Sequence, residues 1–152
     1  MQDHVAMWDV AIIGLGPVGA TLANLLGVYG IKTIVLEKNS SAHQQPRAVM
    51  FDDEVMRVFQ SLKLSKIMTD ITEVGGGAKF VDGDRNILLD WRRPRELSPN
   101  GWFVNYRFHQ PELEHTLRDN LNNHQTVEIL WNTEVVALKQ NDSSVRVTYS
   151  DQ

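Results

Sequence analysis

DVAIIGLGPVGATLANLLGVYGIKTIVLEK, residues 9 to 38, reads as one complete unit: an apolar strand, a glycine turn, a helix, a second strand and an acid at its end. Val10 to Ile13 is a short apolar run, the pattern of a strand buried on both faces of a parallel sheet. Gly14, Gly16 and Gly19 follow in the spacing G-x-G-x-x-G. The first allows a tight turn, the second lets backbone approach a pyrophosphate, and the third permits close helix-on-strand packing. Pro17 to Tyr29 predicts a helix, with Val18, Leu22, Leu25, Leu26 and Tyr29 as its apolar residues and its free amides facing a phosphate. Gly30 is suited to cap it. Lys32 to Leu36 reads as the second strand. Glu37 follows Gly14 by 23 positions, near the roughly 20 expected of an acid that binds ribose hydroxyls. An acid there favours a free 2′-hydroxyl over a 2′-phosphate, because two negative charges repel. The unit binds a dinucleotide; which one, these residues leave open.

Working outward, the 152 residues are enough for one domain with a sizeable core, and 42% hydrophobic residues argue against disorder. A formal net charge of -4 gives no electrostatic reason to expect nucleic acid or an anionic membrane as partner. Without cysteine there is no disulfide, thiolate metal site or cysteine nucleophile. No run approaches the roughly 20 apolar residues that span a bilayer, and the start lacks a basic region followed by an apolar core. The expected location is cytoplasmic.

Beyond Lys38 the pattern is less regular. Asn39 to Pro46 is polar and reads as a loop. Asp52 is placed to cap a helix running to about Leu62, with Asp53 and Glu54 in its first turn and Val55, Met56, Phe59 and Leu62 inside. Leu64 to Met68 suggests a short helix. Gly75 to Gly77 breaks the chain, and Ala78 to Trp91 has the form of a hairpin turning at Asp82, Gly83 and Asp84. Arg92 to Gly101 is irregular. Gln110 to Asn123 predicts a helix with Pro111 in its first turn and Leu113, Leu117 and Leu121 along one side. Thr126 to Leu130, Glu134 to Lys139 and Val145 to Tyr149 read as strands, the last two joined at Asn141 and Asp142. The fold class is therefore α/β: a Rossmann-like parallel sheet with helices, plus an antiparallel hairpin or meander.

Other chemistry finds little support. His4, His43, His109, His115 and His124 share no metal-ligand spacing. Asp52, Asp53 and Glu54 suit a helix start better than a metal or acid–base cluster. Arg92, Arg93 and Arg95 beside Trp91 and Trp102 form one basic patch on an acidic chain, which reads as a solvated loop. No serine stands in a G-x-S-x-G elbow.

The whole chain resembles the flavin-dependent aromatic hydroxylases of the p-hydroxybenzoate hydroxylase class, most of all the 3-(3-hydroxyphenyl)propionate hydroxylases. The resemblance is carried by the opening unit, then PRAVMFDDEVMRVF (46 to 59), then GWFVNYRFHQPELEHTLRDNL (101 to 121), in that order. It implies FAD as the held cofactor, NADH or NADPH as transient co-substrate, molecular oxygen, and a small phenolic or aromatic acid as substrate. It implies that Gly14, Gly16, Pro17, Val18 and Gly19 serve the pyrophosphate, and that Glu37, with Lys38 beside it, serves the adenosine ribose. Arg47 is similar to the family arginine that reaches the FAD phosphates and ribityl region, a task suited to a guanidinium fork. Gln110 resembles the glutamine that bonds the flavin side, and Val135 stands where the family has backbone contacts to adenine. No residue is assigned a catalytic or metal-binding role.

The family pattern also contains downstream Asp-Gly and Gly-Asp motifs that are absent here. The resemblance therefore implies an N-terminal part of an FAD-binding domain, with about residues 75 to 108 directed toward a substrate domain, and, for this chain alone, no hydroxylation and weak FAD binding if any. Two other readings remain: an NAD-binding module using the same glycine unit, or a non-catalytic interaction protein built on a Rossmann core. In any of them, Val145 to Tyr149 as an exposed edge could support a homodimer.

Overall fold

A computed structural model describes residues 7–41 and 47–151. In chain order the elements are β1 (Val10–Ile13), α1 (Pro17–Val28), β2 (Thr33–Glu37), β3 (Met50–Phe51), α2 (Asp53–Ser61) and α3 (Ser65–Asp70). There follow β4 (Thr72–Val74), β5 (Gly77–Val81), β6 (Ile87–Arg92), β7 (Tyr106–Phe108) and α4 (Gln110–Asn120). A 3-10 turn (Leu121–Asn123), β8 (Val127–Trp131), β9 (Thr133–Gln140) and β10 (Val145–Asp151) complete the chain. Two compact units result, one from Met1–Gln44 with Glu114–Gln152, the other from Gln45–Leu113. His4, His43 and the second half of the loop expected over Asn39 to Pro46 lie outside the described residues.

In the first unit β1, β2 and β8 form a parallel sheet with β2 in the centre. Burial on both faces was expected of β1, but it belongs to β2: Val35 is fully buried and Leu36 nearly so, whereas Ile13 is 55% exposed. Among the described residues β1 is an edge strand whose alternate residues are covered, so only Ile12 of its pair of isoleucines enters the core. The larger apolar residues at α1 are also not its most buried ones, Leu25 and Leu26 being only half-buried. Val18, Leu22 and Tyr29 are exposed, and Ala20, Ala23 and Asn24 are fully buried. Small side chains let the helix lie close to the sheet, and at Gly19 an added Cβ would overlap the Gly14 carbonyl oxygen. α1 ends as expected of Gly30, which takes a left-handed φ of 69° while Ile31 N donates to Leu26 O and Gly30 N to Gly27 O.

Asn24 links α1 to the later part of the unit. Its Nδ2 donates to Ala20 O and Leu117 O, both at 2.8 Å, and its Oδ1 accepts from Asn120 Nδ2 at 2.8 Å. A buried amide is tolerable only when its donors and acceptor are satisfied in this way. The helix predicted over Gln110 to Asn123 tightens into the 3-10 turn after Asn120, while Leu113, Leu117 and Leu121 are buried as their spacing requires. The hairpin of β9 and β10 carries a bulge between Thr148 and Tyr149. Its turn is held by Asn141, whose Oδ1 accepts from Ser143 N and Ser144 N.

The second unit holds a sheet that the sequence did not disclose, β3-β7-β4, all antiparallel. Strands of two or three residues are too short for any periodicity to register. Phe51 stacks on Tyr106 and meets Phe59 edge-on, both at 5.3 Å, which seats α2 on this sheet. Asp52 caps α2, accepting from Val55 N at 3.0 Å. Met56, Phe59 and Leu62 are buried, but Val55, expected inside with them, is 37% exposed in the first turn of α2. The β5–β6 hairpin turns at Asp82, whose carboxylate accepts from Asp84 N and Asn86 N. In the adjoining basic stretch Arg92 is exposed and pairs with Asp90, as suits a solvated surface, whereas Arg93 is half-buried 4.1 Å over the Trp91 ring with its Nε withdrawn from solvent.

Candidate functional site

The glycine turn is organised around Leu15, a fully buried residue whose two backbone polar groups are both taken by distant side chains. Leu15 N donates to Glu37 Oε2 at 2.7 Å, and Leu15 O accepts from Arg118 Nε at 3.0 Å and Nη2 at 2.7 Å. β1 and β2 run parallel in register, with Ile13 opposite Leu36, so Glu37 arrives at the level of the turn by strand pairing alone. Arg118 is supplied by α4, where Glu114 one turn earlier holds its Nη2 at 3.1 Å. Both members of that pair are largely withdrawn from solvent, with side-chain exposures of 11% and 2%. Trp131 lies 5.4 Å from the same guanidinium.

Glu37 carries more structural duty than a ribose-binding acid requires. Its Oε1 accepts from Asn39 N at 2.8 Å and Asn39 Nδ2 at 3.0 Å, while Oε2 takes Leu15 N. A carboxylate offers about four acceptor positions, so roughly one remains for a hydroxyl. Lys38, next in the chain, is exposed.

The turn itself fits a dinucleotide diphosphate. The Gly16 amide has no hydrogen-bond partner among the described residues, and the amides of Val18 and Gly19 belong to the first turn of α1, where no intrahelical acceptor exists. Pro17 at the first helical position lacks an amide that would otherwise need a partner. Gly16 caps α1 with no side-chain bond, and a Cβ built there would meet nothing within 4 Å. Open space in front of unpaired amides at a helix start is what an anionic oxygen requires. Gly14 adopts a φ of 94°, a conformation that favours glycine. Val18 is 83% exposed beside these amides.

In the other unit Gln110 is buried, and its side-chain oxygen accepts from Arg47 N at 2.7 Å and Ala48 N at 2.9 Å. The two residues that the resemblance singled out 63 positions apart are thus in direct contact. Their bond runs through the Arg47 backbone; the arginine itself is exposed. Val135 is half-buried in β9, paired with Tyr149 at the bulge.

Arg118, Glu114 and Asn39 were not singled out from the sequence. Glu114 and Arg118 stand four apart on one helix, a common surface pairing that gives no hint of its burial. The Arg118 bond to Leu15 spans 103 positions, beyond any local signal. Among the described residues, no group of three or more histidine, cysteine or acidic side chains is arranged to hold a metal. No helix among them is long and apolar enough to cross a membrane.

Comparison with known proteins follows the same lines. The profile of the FAD binding domain family matches residues 7–152. The chain is 40% identical over 136 residues to a probable NADH-specific resorcinol 4-hydroxylase of Rhodococcus jostii (strain RHA1), covering 88% of this chain and 25% of that protein. It is 35% identical over 144 residues to the 3-(3-hydroxy-phenyl)propionate/3-hydroxycinnamic acid hydroxylase of Paraburkholderia xenovorans (strain LB400), covering 95% of this chain and 23% of that protein. The chain therefore spans about a quarter of the length of these curated relatives. Among solved structures, p-nitrophenol 4-monooxygenase PnpA from Pseudomonas putida DLL-E4 superposes with a TM-score of 0.81 at 22% identity, over 93% of this chain and 36% of that one. At that identity the likeness speaks for the fold, a Rossmann-like α/β arrangement. With the glycine turn, the acid at the end of β2 and a family match over nearly every residue, the chain belongs to the FAD binding domain family.

Proposed function

We propose that this chain supplies the dinucleotide-holding part of an FAD-dependent aromatic hydroxylase, which consumes NADH or NADPH and molecular oxygen to hydroxylate a small phenolic or aromatic acid. The observation that supports it is the open Gly16 turn beside Glu37, which keeps an acceptor position free, in a chain whose relatives are named as hydroxylases of phenolic compounds. When bound, FAD supplies the redox and oxygen-activating chemistry. The chain's own residues bind and orient it. The amides of Gly16, Val18 and Gly19, with Pro17 fixing the helix start, receive the diphosphate, and Glu37, flanked by Lys38, receives a ribose hydroxyl. By resemblance to the family, Arg47 and Gln110 serve the phosphate, ribityl and flavin side, and backbone at Val135 serves the adenine. Residues 75 to 108 are directed toward the substrate in this reading, and the chain works in the cytoplasm.

These 152 residues alone do not hydroxylate, since they span only a quarter of the relatives that bear the activity. Mixing the purified chain with FAD, NADH and phenolic acids is expected to show a shift in flavin absorption on binding and no substrate-dependent oxygen uptake. Oxygen uptake with a hydroxylated product would overturn the second statement, and the absence of any FAD binding would overturn the first. In the same reading β10, whose outer edge pairs with no strand among the described residues, joins a second copy to form a homodimer.

A further inference from the structure

We propose that Arg118 is a positioning residue for the diphosphate: by gripping the Leu15 carbonyl it aims and strengthens the Gly16 amide. This rests on the FAD-binding reading given above. The Leu15 carbonyl and the Gly16 amide belong to one planar peptide unit, and no peptide bond among the described residues is cis. In a trans unit the C=O and N–H point in opposite directions. Holding the oxygen inward on Arg118, at 3.0 and 2.7 Å, therefore turns the Gly16 N–H outward, into the open space before α1.

The preceding unit is fixed in the same manner. Leu15 N is held by Glu37, so the Gly14 carbonyl of that unit points the other way, where it lies against Gly19 with no room for a Cβ. Two successive peptides are thus oriented from opposite sides, one by an acid at the end of β2 and one by a base on α4. Neither relies on the ligand.

Arg118 is matched to this task. Two donors of one guanidinium converge on a single carbonyl oxygen, and charge-assisted bonds of this kind polarise the amide at the other end of the unit. The positive charge is offset by Glu114, itself almost fully buried, and the guanidinium plane is flanked by Trp131. Arg118 therefore does not act as a free cation competing for the phosphate. Its effect reaches the ligand through the peptide.

The test uses the full 152-residue chain as wild type, Arg118→Met and Arg118→Lys. Thermal unfolding without FAD reports the fold, amide NMR of the ligand-free chain reports Gly16, and fluorescence titration reports FAD affinity. Arg118→Met is expected to move the Gly16 amide proton upfield in the free protein and to weaken FAD binding about tenfold to a hundredfold, the range for one lost charge-assisted bond. Arg118→Lys, with one compact donor group in place of a fork, is expected to fall between wild type and Arg118→Met on both measures. Should Arg118→Met fail to fold, Arg118→Lys decides by the same two readouts. A folded variant with the Gly16 amide and FAD affinity both unchanged overturns the proposal, as does one in which either moves without the other. If the wild-type chain itself does not bind FAD, it is the FAD-binding reading that fails, and the Gly16 shift still shows whether Arg118 orients the peptide.

Discussion

The side-chain oxygen of Gln110 receives the backbone amide of Arg47 at 2.7 Å, and the next amide, that of Ala48, at 2.9 Å. One buried carboxamide thereby fixes the direction in which the chain enters β3. Whatever Arg47 contacts with its guanidinium, its backbone is set by Gln110.

Replacing Gln110 by methionine keeps the volume and removes the acceptor. Two part-buried amides then lose their partner, and the expected loss of stability is about 1–3 kcal/mol, from two ordinary hydrogen bonds at about 0.5–1.5 kcal/mol each. Urea denaturation measures it, and faster amide exchange at Arg47 and Ala48 should accompany it. Unchanged exchange at both positions would show that the clamp is dispensable.

Gly16 and Gly19 should separate ligand binding from folding. Gly16 has an ordinary φ of -74° and open surroundings, so Gly16→Ala is expected to leave stability within about 0.5 kcal/mol while placing a methyl in front of the unpaired amides. FAD affinity should fall with the unfolding midpoint unmoved. Gly19→Ala must push its methyl into the Gly14 carbonyl, and a loss of roughly 1–3 kcal/mol or more is expected before any ligand is added. Paired thermal melts and FAD titrations distinguish the two.

Asp53 gives a pH dependence whose sign is fixed by its partners. Ser98 Oγ at 2.6 Å and Asn100 Nδ2 at 2.7 Å donate to its carboxylate and hold its pKa below the usual 3.8. A depressed folded pKa means that the contribution is fully present above the unfolded value and is lost as pH falls through the folded one. Ser98→Ala should therefore be less stable than wild type at pH 7, and the gap should narrow as the pH is lowered past 3.8. Urea midpoints across that range provide the measurement; a gap that stays constant would assign the Ser98 effect to something other than the Asp53 charge.

The outer edge of β10 offers backbone unpaired with any strand among the described residues, together with Val145 and Tyr149, 55% and 46% exposed. Size-exclusion chromatography at rising concentration is expected to show a dimer that Val145→Lys and Val147→Lys weaken, because edge charges oppose strand addition. A monomer at all concentrations would exclude pairing through this edge.

Much of the fold was legible because its signals are local. The Gly14 turn before α1, the Asp52 cap, the Asp82 turn and the leucines at 113, 117 and 121 each act within a few residues of where they stand, and each has its expected form. The β3-β7-β4 sheet was not legible, since its strands are too short to carry a period and are defined by partners more than thirty residues away. The outward turn of Val18 and Leu22 was hidden for another reason. A hydrophobic pattern marks which residues are apolar, but close approach of α1 to the sheet selected the small face of Ala20 and Ala23.

The sequence by itself determined that a glycine turn precedes a helix and is answered by Glu37, because spacing, propensity and strand order are properties of the local chain. Only the tertiary structure decided what Glu37 and Arg118 hold. The Leu15 peptide groups are gripped from 22 and 103 positions away, and which side chain reaches a buried backbone group is settled by packing in three dimensions.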